Sequence, residues 1–417
     1  MSRNRKIKTI LDSNNTKNDE IITLLKSIDP LLKLEKCYGI FRFSLTDDHL
    51  GPITKTMKVN GICIMFALII PYCVLLFNFL TKTAVFDTNK IVDALEHVPV
   101  LIVTIQYFVF MIISLRLSDK NILLIKKLAQ IDHILNVSTN QDFSKKLRKE
   151  IQISIFLFLI TYMIAAFPDL LDIFYDGNFF EIISIAIDFP RHLESLSFYI
   201  FIKILTVRLN ILNKHLINLI KLNNKKTPLC VIHSHTLNED FKKHPYGVRS
   251  SDINNKIIRV AEAYKIIGEA NYLINEIFQF QNFMSLVSTF VYIIITIWSS
   301  IYFYRTLKQL NLLIAFTVQC VYETVIIGLI SYICDKMIAN RNTTKILVNE
   351  LVVDYELPKP MRMQAKAFME LIEVWPLKIF AYDMFPIDII LNIKLLLKFV
   401  SVSTTYLIVI IQISHFL

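Results

Sequence analysis

Four ionisable side chains interrupt an apolar stretch of the chain between residues 179 and 205. They are Asp188, Arg191, His192 and Glu194. Charge in apolar surroundings is costly unless it is paired or reaches water. On a helix, Arg191 lies three residues from both Asp188 and Glu194 and can pair with either. The pattern indicates an ion-paired structural element, an apolar segment that begins later in the chain, or a pocket that binds a polar ligand.

Polar and aromatic side chains in other apolar segments are candidates to complete such a pocket. They are Gln106, Tyr107, Tyr162, Gln319, Tyr322 and Glu323. Aromatic walls with a few hydrogen-bonding groups are typical of small-molecule sites. For each of these residues taken singly, packing in the core or hydrogen bonding between helices is the alternative role.

The C-terminal segment carries polar residues on one helical face. Counting back from Gln412 in steps of three or four gives Val409 or Ile408, Thr405, Ser401 or Val402, and Lys398, so the polar residues alternate with apolar constrictions. In a symmetric oligomer such a face can line a pore, with Gln412 at its outer end. Polar contacts between the helices of one bundle would give the same periodicity, so the spacing leaves both interpretations open.

Signatures of catalysis and of metal binding are weak. The seven glycines are at least ten residues apart, which excludes the glycine-rich loops that bind phosphate. No HExxH motif and no recognisable nucleophile elbow occurs. The best metal-like cluster is Cys230, His233, His235 and His244, but no CxxC pair accompanies it. We therefore expect no enzyme activity, no cofactor and no bound metal.

The composition places these side chains in a membrane. Of 417 residues, 54% are hydrophobic and 19% are charged, whereas average soluble domains carry roughly 25% charged residues. A spanning helix needs about 20 apolar residues. Seven segments approach this requirement: 61–80, 98–115, 151–168, 179–205, 282–304, 311–334 and 386–413. The sequence predicts an all-α membrane protein with seven transmembrane helices.

The basic residues predict the orientation of these helices, because cytoplasmic loops hold the excess of Lys and Arg. With the N-terminus inside, 37 of the 45 Lys and Arg residues fall in inner segments and four in outer ones. The N-terminus is therefore expected in the cytoplasm and the C-terminus outside. Since the basic residues are dispersed among inner loops, we expect contact with membrane lipid and no nucleic-acid partner.

Elongated helices are expected on the cytoplasmic side. Residues 210–220 and 256–281 extend neighbouring spans, whereas the polar segment 223–255 is expected to be a loop. An amphipathic helix is predicted over 361–380, and together these helices would form an anchor platform. The sequence thus divides into four regions. Residues 1–58 form a cytoplasmic N-terminal region, and residues 59–334 contain transmembrane helices one to six with a ligand-binding outer bundle. Residues 335–385 form a cytoplasmic segment, and residues 386–417 form a pore-lining helix.

The last predicted span resembles that of the insect gustatory receptor family, which is related to the insect odorant receptors. That family has Thr-Tyr, five hydrophobic residues and then Gln-Phe. Here residues 405–413 have the sequence Thr-Tyr-Leu-Ile-Val-Ile-Ile-Gln-Ile, with Ile413 in the place of the usual Phe. The segments 385–388 and 365–380 are also similar to the C-terminal region of the family.

The resemblance implies a tastant-gated, non-selective cation channel in the plasma membrane of gustatory sensory neurons. Four subunits, identical or mixed with other gustatory receptors, would surround one pore that conducts cations. By position, Gln412 and Ile413 would form the gate, Val409 would face the pore, and Thr405 and Tyr406 would support the pore helix. The ligand pocket would lie in the outer half among spans two, three, four and six. Without a clear match to a sugar or carbon dioxide subgroup, a bitter plant compound is the default ligand.

Four other functions compete with this interpretation. A G-protein-coupled receptor needs an outer N-terminus, which the distribution of basic residues opposes. An odorant-type chemoreceptor would depend on a co-receptor, and the Thr-Tyr…Gln ending argues against it. A membrane enzyme would need a catalytic cluster, and a secondary transporter with inverted repeats would show two similar halves; neither feature is found in the sequence.

Overall fold

The computed structural model describes residues 2–46, 49–82, 88–137, 141–168, 170–171, 179–224, 246–306, 310–382, 385–387, 401 and 405. These residues form a helical bundle with two short antiparallel hairpins. The helices are α1 (Ser2–Cys37), α2 (Lys55–Lys82), α3 (Thr88–Arg116), α4 (Ser118–Ile134), α5 (Gln141–Ala165), α6 (Phe179–Asn224), α7 (Tyr246–Thr306), α8 (Leu310–Val353) and α9 (Lys359–Val374). The hairpins are β1 (Ser44–Thr46) with β2 (His49–Gly51), and β3 (Phe380–Ala381) with β4 (Phe385–Pro386).

Five of the seven predicted spans fall within helices, namely α2, α3, α6, α7 and α8, and the third, 151–168, extends past the end of α5. Among the described residues, four segments are long and apolar enough to cross a membrane: Lys55–Val74, Ile182–Lys221, Asn254–Thr296 and Thr317–Val353. A fifth exists if Leu101–Arg116 and Ser118–Ile134, which meet at 64°, form one bent span. In α5 the uncharged part begins at Ile151 and the helix ends at Ala165. The predicted seventh span lies outside the described residues, except at its start and at Ser401 and Thr405, both helical.

Helix α6 is the centre of the bundle. Of its most apolar segment 72% is buried, compared with 17% of the corresponding segment in α2. Side chains such as Phe198, Ile200 and Leu205 have no measurable exposure, because this part of α6 is apolar around most of its circumference. Helices α3, α7 and α8 pack against it.

The end of α1 brings the N-terminal region into the bundle. Helix α1 ends before Gly39, which has φ 75° and lets Ile40 N donate to Glu35 O at 3.0 Å. The ring of Tyr38 then stacks on Phe189 of α6, with 4.7 Å between ring centroids. Residues after α1 therefore reach the same part of α6 that carries the ionisable cluster.

The lengths of α6 and α7 confirm the predicted helical extensions, and the structure corrects two predicted boundaries. Helix α6 continues to Asn224, and α7 covers residues 246–306 without interruption. The predicted loop 223–255 is too long, because α7 begins at Tyr246, directly after Pro245, a residue without a backbone donor.

The amphipathic helix predicted over 361–380 is also shorter than expected. Helix α9 ends at Val374, because Pro376 disfavours the helical conformation of Trp375, which has φ −113° and ψ 84°. Trp375 packs directly on the backbone of α7, since a Cβ at Gly268 would lie 2.6 Å from its ring. The chain then turns towards the last predicted span.

Candidate functional site

Two helices, α6 and α8, meet at a buried ionisable cluster formed by Asp188, Arg191, His192 and Glu323. Arg191 of α6 donates to Asp188 Oδ1 at 2.8 and 3.0 Å and also to Glu323 of α8. His192 Nε2 lies 2.9 Å from Asp188 Oδ2 and 3.5 Å from Glu323 Oε1. The side chains of Arg191, His192 and Glu323 are 1% exposed, whereas that of Asp188 is 15% exposed. Asp188 is therefore the edge of the cluster that water or a ligand can reach.

The expected pairing of Arg191 with Asp188 is confirmed, but that with Glu194 is wrong. Positions 188 and 194 are about 120° apart around a helix of 3.6 residues per turn. Glu194 faces the other side of α6 and accepts a 2.7 Å hydrogen bond from Arg42, which also binds Glu35 at 2.7 to 3.0 Å. Glu323, on another helix, takes the place expected for Glu194.

The same cluster has the composition of a metal site, but an arginine occupies its centre. Within the described part of the chain, Asp188, His192 and Glu323 place ligand-type atoms within 4.8 Å of one another. Arg191 Nη2 lies 2.8 Å from both His192 Nε2 and Asp188 Oδ1 and contacts Glu323 as well. A metal ion would have to displace this guanidinium, so the geometry favours a fixed positive charge that organises the two carboxylates.

Aromatic rings line one side of the cluster. Tyr322 lies edge-on to His192 with 4.8 Å between centroids, and Tyr162 is 6.1 Å from Tyr322. Tyr162 also contacts Phe189 edge-on at 5.0 Å, and its hydroxyl donates to the Ile185 carbonyl oxygen at 2.8 Å. Helices α5, α6 and α8 thus meet at a buried contact that combines aromatic rings with charged groups.

Amide and hydroxyl side chains connect the cluster to the second predicted span. Gln281 of α7 donates to the Arg191 carbonyl oxygen at 2.9 Å. Gln106 donates to Gln281 Oε1 at 3.1 Å and accepts from Ser288 at 3.1 Å. All of these side chains are buried, so Gln106 joins the site through α7 rather than by direct contact with the ions.

Two buried polar atoms of the cluster and its aromatic side lack a hydrogen-bond partner among the described residues, namely Arg191 Nη1 and the Tyr322 hydroxyl. The Tyr107 hydroxyl on α3 also lacks one. Tyr107 is 1% exposed and Tyr322 is 6% exposed. Since buried polar groups in proteins are normally hydrogen-bonded, these atoms provide unused capacity for a bound ligand or for water.

Comparison with known proteins identifies the family of this chain. The sequence profile of the family described as 7tm Chemosensory receptor matches residues 28–415. The chain belongs to this family. Among solved structures, the insect olfactory receptor OR5 from Machilis hrabei is similar, with a TM-score of 0.64 and 13% sequence identity. The similarity covers 94% of this chain and 100% of that one, and at this identity it shows a shared fold. No curated protein sequence matches the chain significantly.

The chain therefore belongs to a chemosensory receptor family and shares its fold with an insect receptor. The resemblance of its last predicted span to insect receptors had suggested both. Of the predicted gate residues, Thr405 is described: its hydroxyl donates to the Ser401 carbonyl oxygen at 2.8 Å and its side chain is exposed. The remaining four lie outside the described residues, and their role stays a prediction. They are Tyr406, Val409, Gln412 and Ile413.

Of the nine predicted ligand-binding residues, six meet at the cluster and its aromatic side, namely Tyr162, Asp188, Arg191, His192, Tyr322 and Glu323. Gln106 is linked to them through Gln281. Among the described residues, no hydrogen bond or ring contact joins Tyr107 to the cluster. Gln319 lies one turn before Glu323 and is half-buried, but no hydrogen bond within the described part of the chain joins it to the cluster. The candidate metal residues of the 223–255 segment, from Cys230 to His244, also lie outside the described residues.

Residues of α7 are part of the site although sequence reasoning did not select them. A signal was present, because Gln281, Ser285 and Ser288 recur at helical spacing next to an apolar segment, and all three are buried. No such signal marks Phe189 or Tyr38, whose rings meet only after α1 folds back onto α6.

Proposed function

We propose that the receptor is a gustatory receptor, a tastant-gated and non-selective cation channel whose ligand binds at the cluster of α6 and α8. The observation that carries this proposal is the buried cluster itself, with its open edge at Asp188 and its unused hydrogen-bonding atoms. A purely structural ion pair needs neither of these features. Membership of a chemosensory family makes a small-molecule ligand the expected occupant.

The charge and aromatic content of the cluster favour a ligand with a basic nitrogen. Two carboxylates, Asp188 and Glu323, face one guanidinium, so the cluster has a surplus negative charge when His192 is neutral. A protonated amine would balance that charge and would also be attracted by the faces of Tyr162 and Tyr322. Plant alkaloids combine a basic nitrogen with an apolar frame, which supports a bitter plant compound as the tastant and disfavours a sugar.

Helix α7 supplies a physical connection from this cluster to the last span. Its outer part binds the cluster through Gln281, and its inner part holds the chain that enters the predicted seventh helix. There Asn275 accepts from Phe380 N at 3.1 Å and Asn271 donates to the Lys378 carbonyl oxygen at 3.3 Å. A ligand that binds one arrangement of α6 and α7 more tightly would shift the population of open channels.

The architecture of the channel completes the proposal. Seven spans, a cytoplasmic N-terminus and assembly of four identical or mixed gustatory receptor subunits in the plasma membrane of sensory neurons are supported by the distribution of basic residues and by the family. The last span of each subunit would line the pore, with Gln412 and Ile413 at the gate, Val409 towards the ions and Thr405 and Tyr406 behind them.

The experiment that tests the ligand site compares two Asp→Asn variants by patch-clamp recording. Asp188→Asn removes the reachable carboxylate, and Asp119→Asn makes the same change at an exposed position on α4. Because a charge-assisted hydrogen bond contributes about 1.5 to 3 kcal/mol, Asp188→Asn is expected to raise the half-maximal concentration of an active alkaloid roughly tenfold or more. The Asp119→Asn receptor should respond like the wild type. Equal responses of wild type and Asp188→Asn, at equal surface expression, would place the ligand elsewhere.

A further inference from the structure

The surface of α5 carries an apolar stripe that no described element covers. Seven large side chains are 41–63% exposed. Six of them, Ile153, Phe156, Leu157, Ile160, Met163 and Ile164, lie on α5, and Phe167 follows just after its end. Their three- and four-residue spacing puts them on one face of the helix, and in a membrane protein such a face meets lipid.

Beside this stripe lies a groove of about 190 Å³ between α5, α6 and α8. Its walls are mostly apolar, with Leu157 and Leu329 at the surface and Phe158 deeper. From Ser154 to Thr161 the groove follows α5 for about 10 Å at 1.5 Å per residue. One leaflet of a bilayer has roughly 15 Å of hydrocarbon, so the groove accommodates much of an acyl chain in a single leaflet.

One end of the groove is basic. Lys203 of α6 lies there, with its Nζ atom 3.4 Å from Ser154 Oγ and 3.6 Å from Glu150 Oε2. On the preceding turns of α5, Lys145, Lys146 and Lys149 are exposed on the side that continues the lipid-facing stripe. None of these three forms an ion pair with another residue that the structure describes. Glu150 offsets one of the four positive charges, which leaves a net charge of about +3.

We propose that the groove binds an anionic phospholipid, with one acyl chain between α5, α6 and α8 and its phosphate against Lys146, Lys149 and Lys203. The apolar walls match the chain, and the basic end matches the headgroup. Under the proposed orientation this end faces the cytoplasm, where the leaflet is rich in anionic lipid. The lipid stabilises the contact of α5 with α6 and α8, the helices that hold the cluster.

The headgroup chemistry follows from the order of the residues. A sterol has no charge for the lysines to bind, and phosphatidylcholine carries a cation next to its phosphate. Lys145, Lys146 and Lys149 lie on α5 just before its apolar stripe begins. A lipid headgroup must lie at this end if the acyl chain follows Leu157 and Thr161. A free phosphate would use the lysines but would leave the apolar groove empty.

Native mass spectrometry of the full-length receptor tests the proposal. The receptor in detergent is offered phosphatidylserine and phosphatidylcholine with identical acyl chains at equal concentrations, and the lipids that remain bound are counted. Glycerophosphoserine, the headgroup without chains, is offered separately. This assay does not depend on channel activity or on a tastant, so its outcome is separate from that of the proposed function.

Two sets of variants with matched controls test the two halves of the site. The charge variant is K146Q/K149Q/K203Q, and its control removes three exposed lysines from other helices, K126Q/K265Q/K366Q. The groove variant is L157W/L329W, and its control enlarges two exposed apolar residues on α2, I70W/V74W. All four are compared only as receptors with the helical content and elution volume of the wild type.

The wild type is expected to prefer phosphatidylserine by at least about tenfold, because each basic residue near the membrane surface adds roughly a fivefold preference. The charge variant should lose that preference and the groove variant should retain less of either lipid, whereas both controls behave like the wild type. Equal retention of the two lipids by the wild type, or equal loss in a variant and its control, would overturn the proposal. Binding of glycerophosphoserine as tight as that of the lipid would overturn it too.

Discussion

Removal of the central arginine is the sharpest test of how the cluster is held together. Arg191→Gln takes the guanidinium away from Asp188, His192 and Glu323 and leaves two carboxylates in a site where Glu323 is 1% exposed. Loss of one member of a buried ion pair typically costs about 3–5 kcal/mol, because the remaining charge has no partner. The variant should unfold at a temperature lower by roughly 5 °C or more.

A neutral version of the cluster separates stability from function. In the triple variant D188N/R191Q/E323Q the two carboxylates and the guanidinium of the cluster are all replaced by neutral amides, so its stability should return to within about 1 kcal/mol of the wild type. Circular dichroism of the purified receptors during heating measures both effects, and Arg148→Gln, an exposed change on α5, is the control. The reasoning would be refuted if Arg191→Gln melted like the wild type or if the triple variant melted no higher than Arg191→Gln. The triple variant should also fail to respond to tastants.

Further predictions concern packing, coupling and orientation. Gly268→Ala is expected to destabilise the receptor by about 1–3 kcal/mol in thermal unfolding, because its Cβ would meet the ring of Trp375. Gly328→Ala, where no atom lies within 4 Å of the added Cβ, should be neutral or stabilising, and equal effects at the two glycines would contradict this packing. Asn275→Ala should reduce maximal tastant-evoked current while ligand binding changes little, and an unchanged maximal current would exclude this route of coupling. A glycosylation tag on the N-terminus should stay unmodified, and its modification would reverse the proposed orientation.

Much of the helical framework could be predicted from the sequence. Six predicted spans are wholly or largely helical. In lipid the backbone of a single apolar segment can satisfy all of its own hydrogen bonds only as an α-helix. Helix ends were less predictable, since a single proline decides them: Pro376 ends α9, and Pro245 precedes α7.

The candidate site was predictable in composition but not in its partners. Charges such as Asp188 and Arg191 are conspicuous in an apolar segment, and six of the nine selected residues do meet at the cluster. Pair identity depends on tertiary structure, however, because the second partner of Arg191 is Glu323, 132 residues away along the chain. Arg42 was equally hidden, since nothing in the sequence shows that the residues after α1 reach Glu194 in the middle of α6.

Single-channel recording with a Gln412→Ala variant tests the central claim most directly. Cells that express the chain, alone or with other receptors of the chemosensory family, are exposed to an active alkaloid, and Gln152→Ala, an exposed change on α5, is the control. The account predicts a ligand-evoked cation current whose conductance or ion selectivity changes in Gln412→Ala and not in the control. A ligand response carried by a second messenger without such a current, or a current with the same conductance and selectivity in all three receptors, would contradict it.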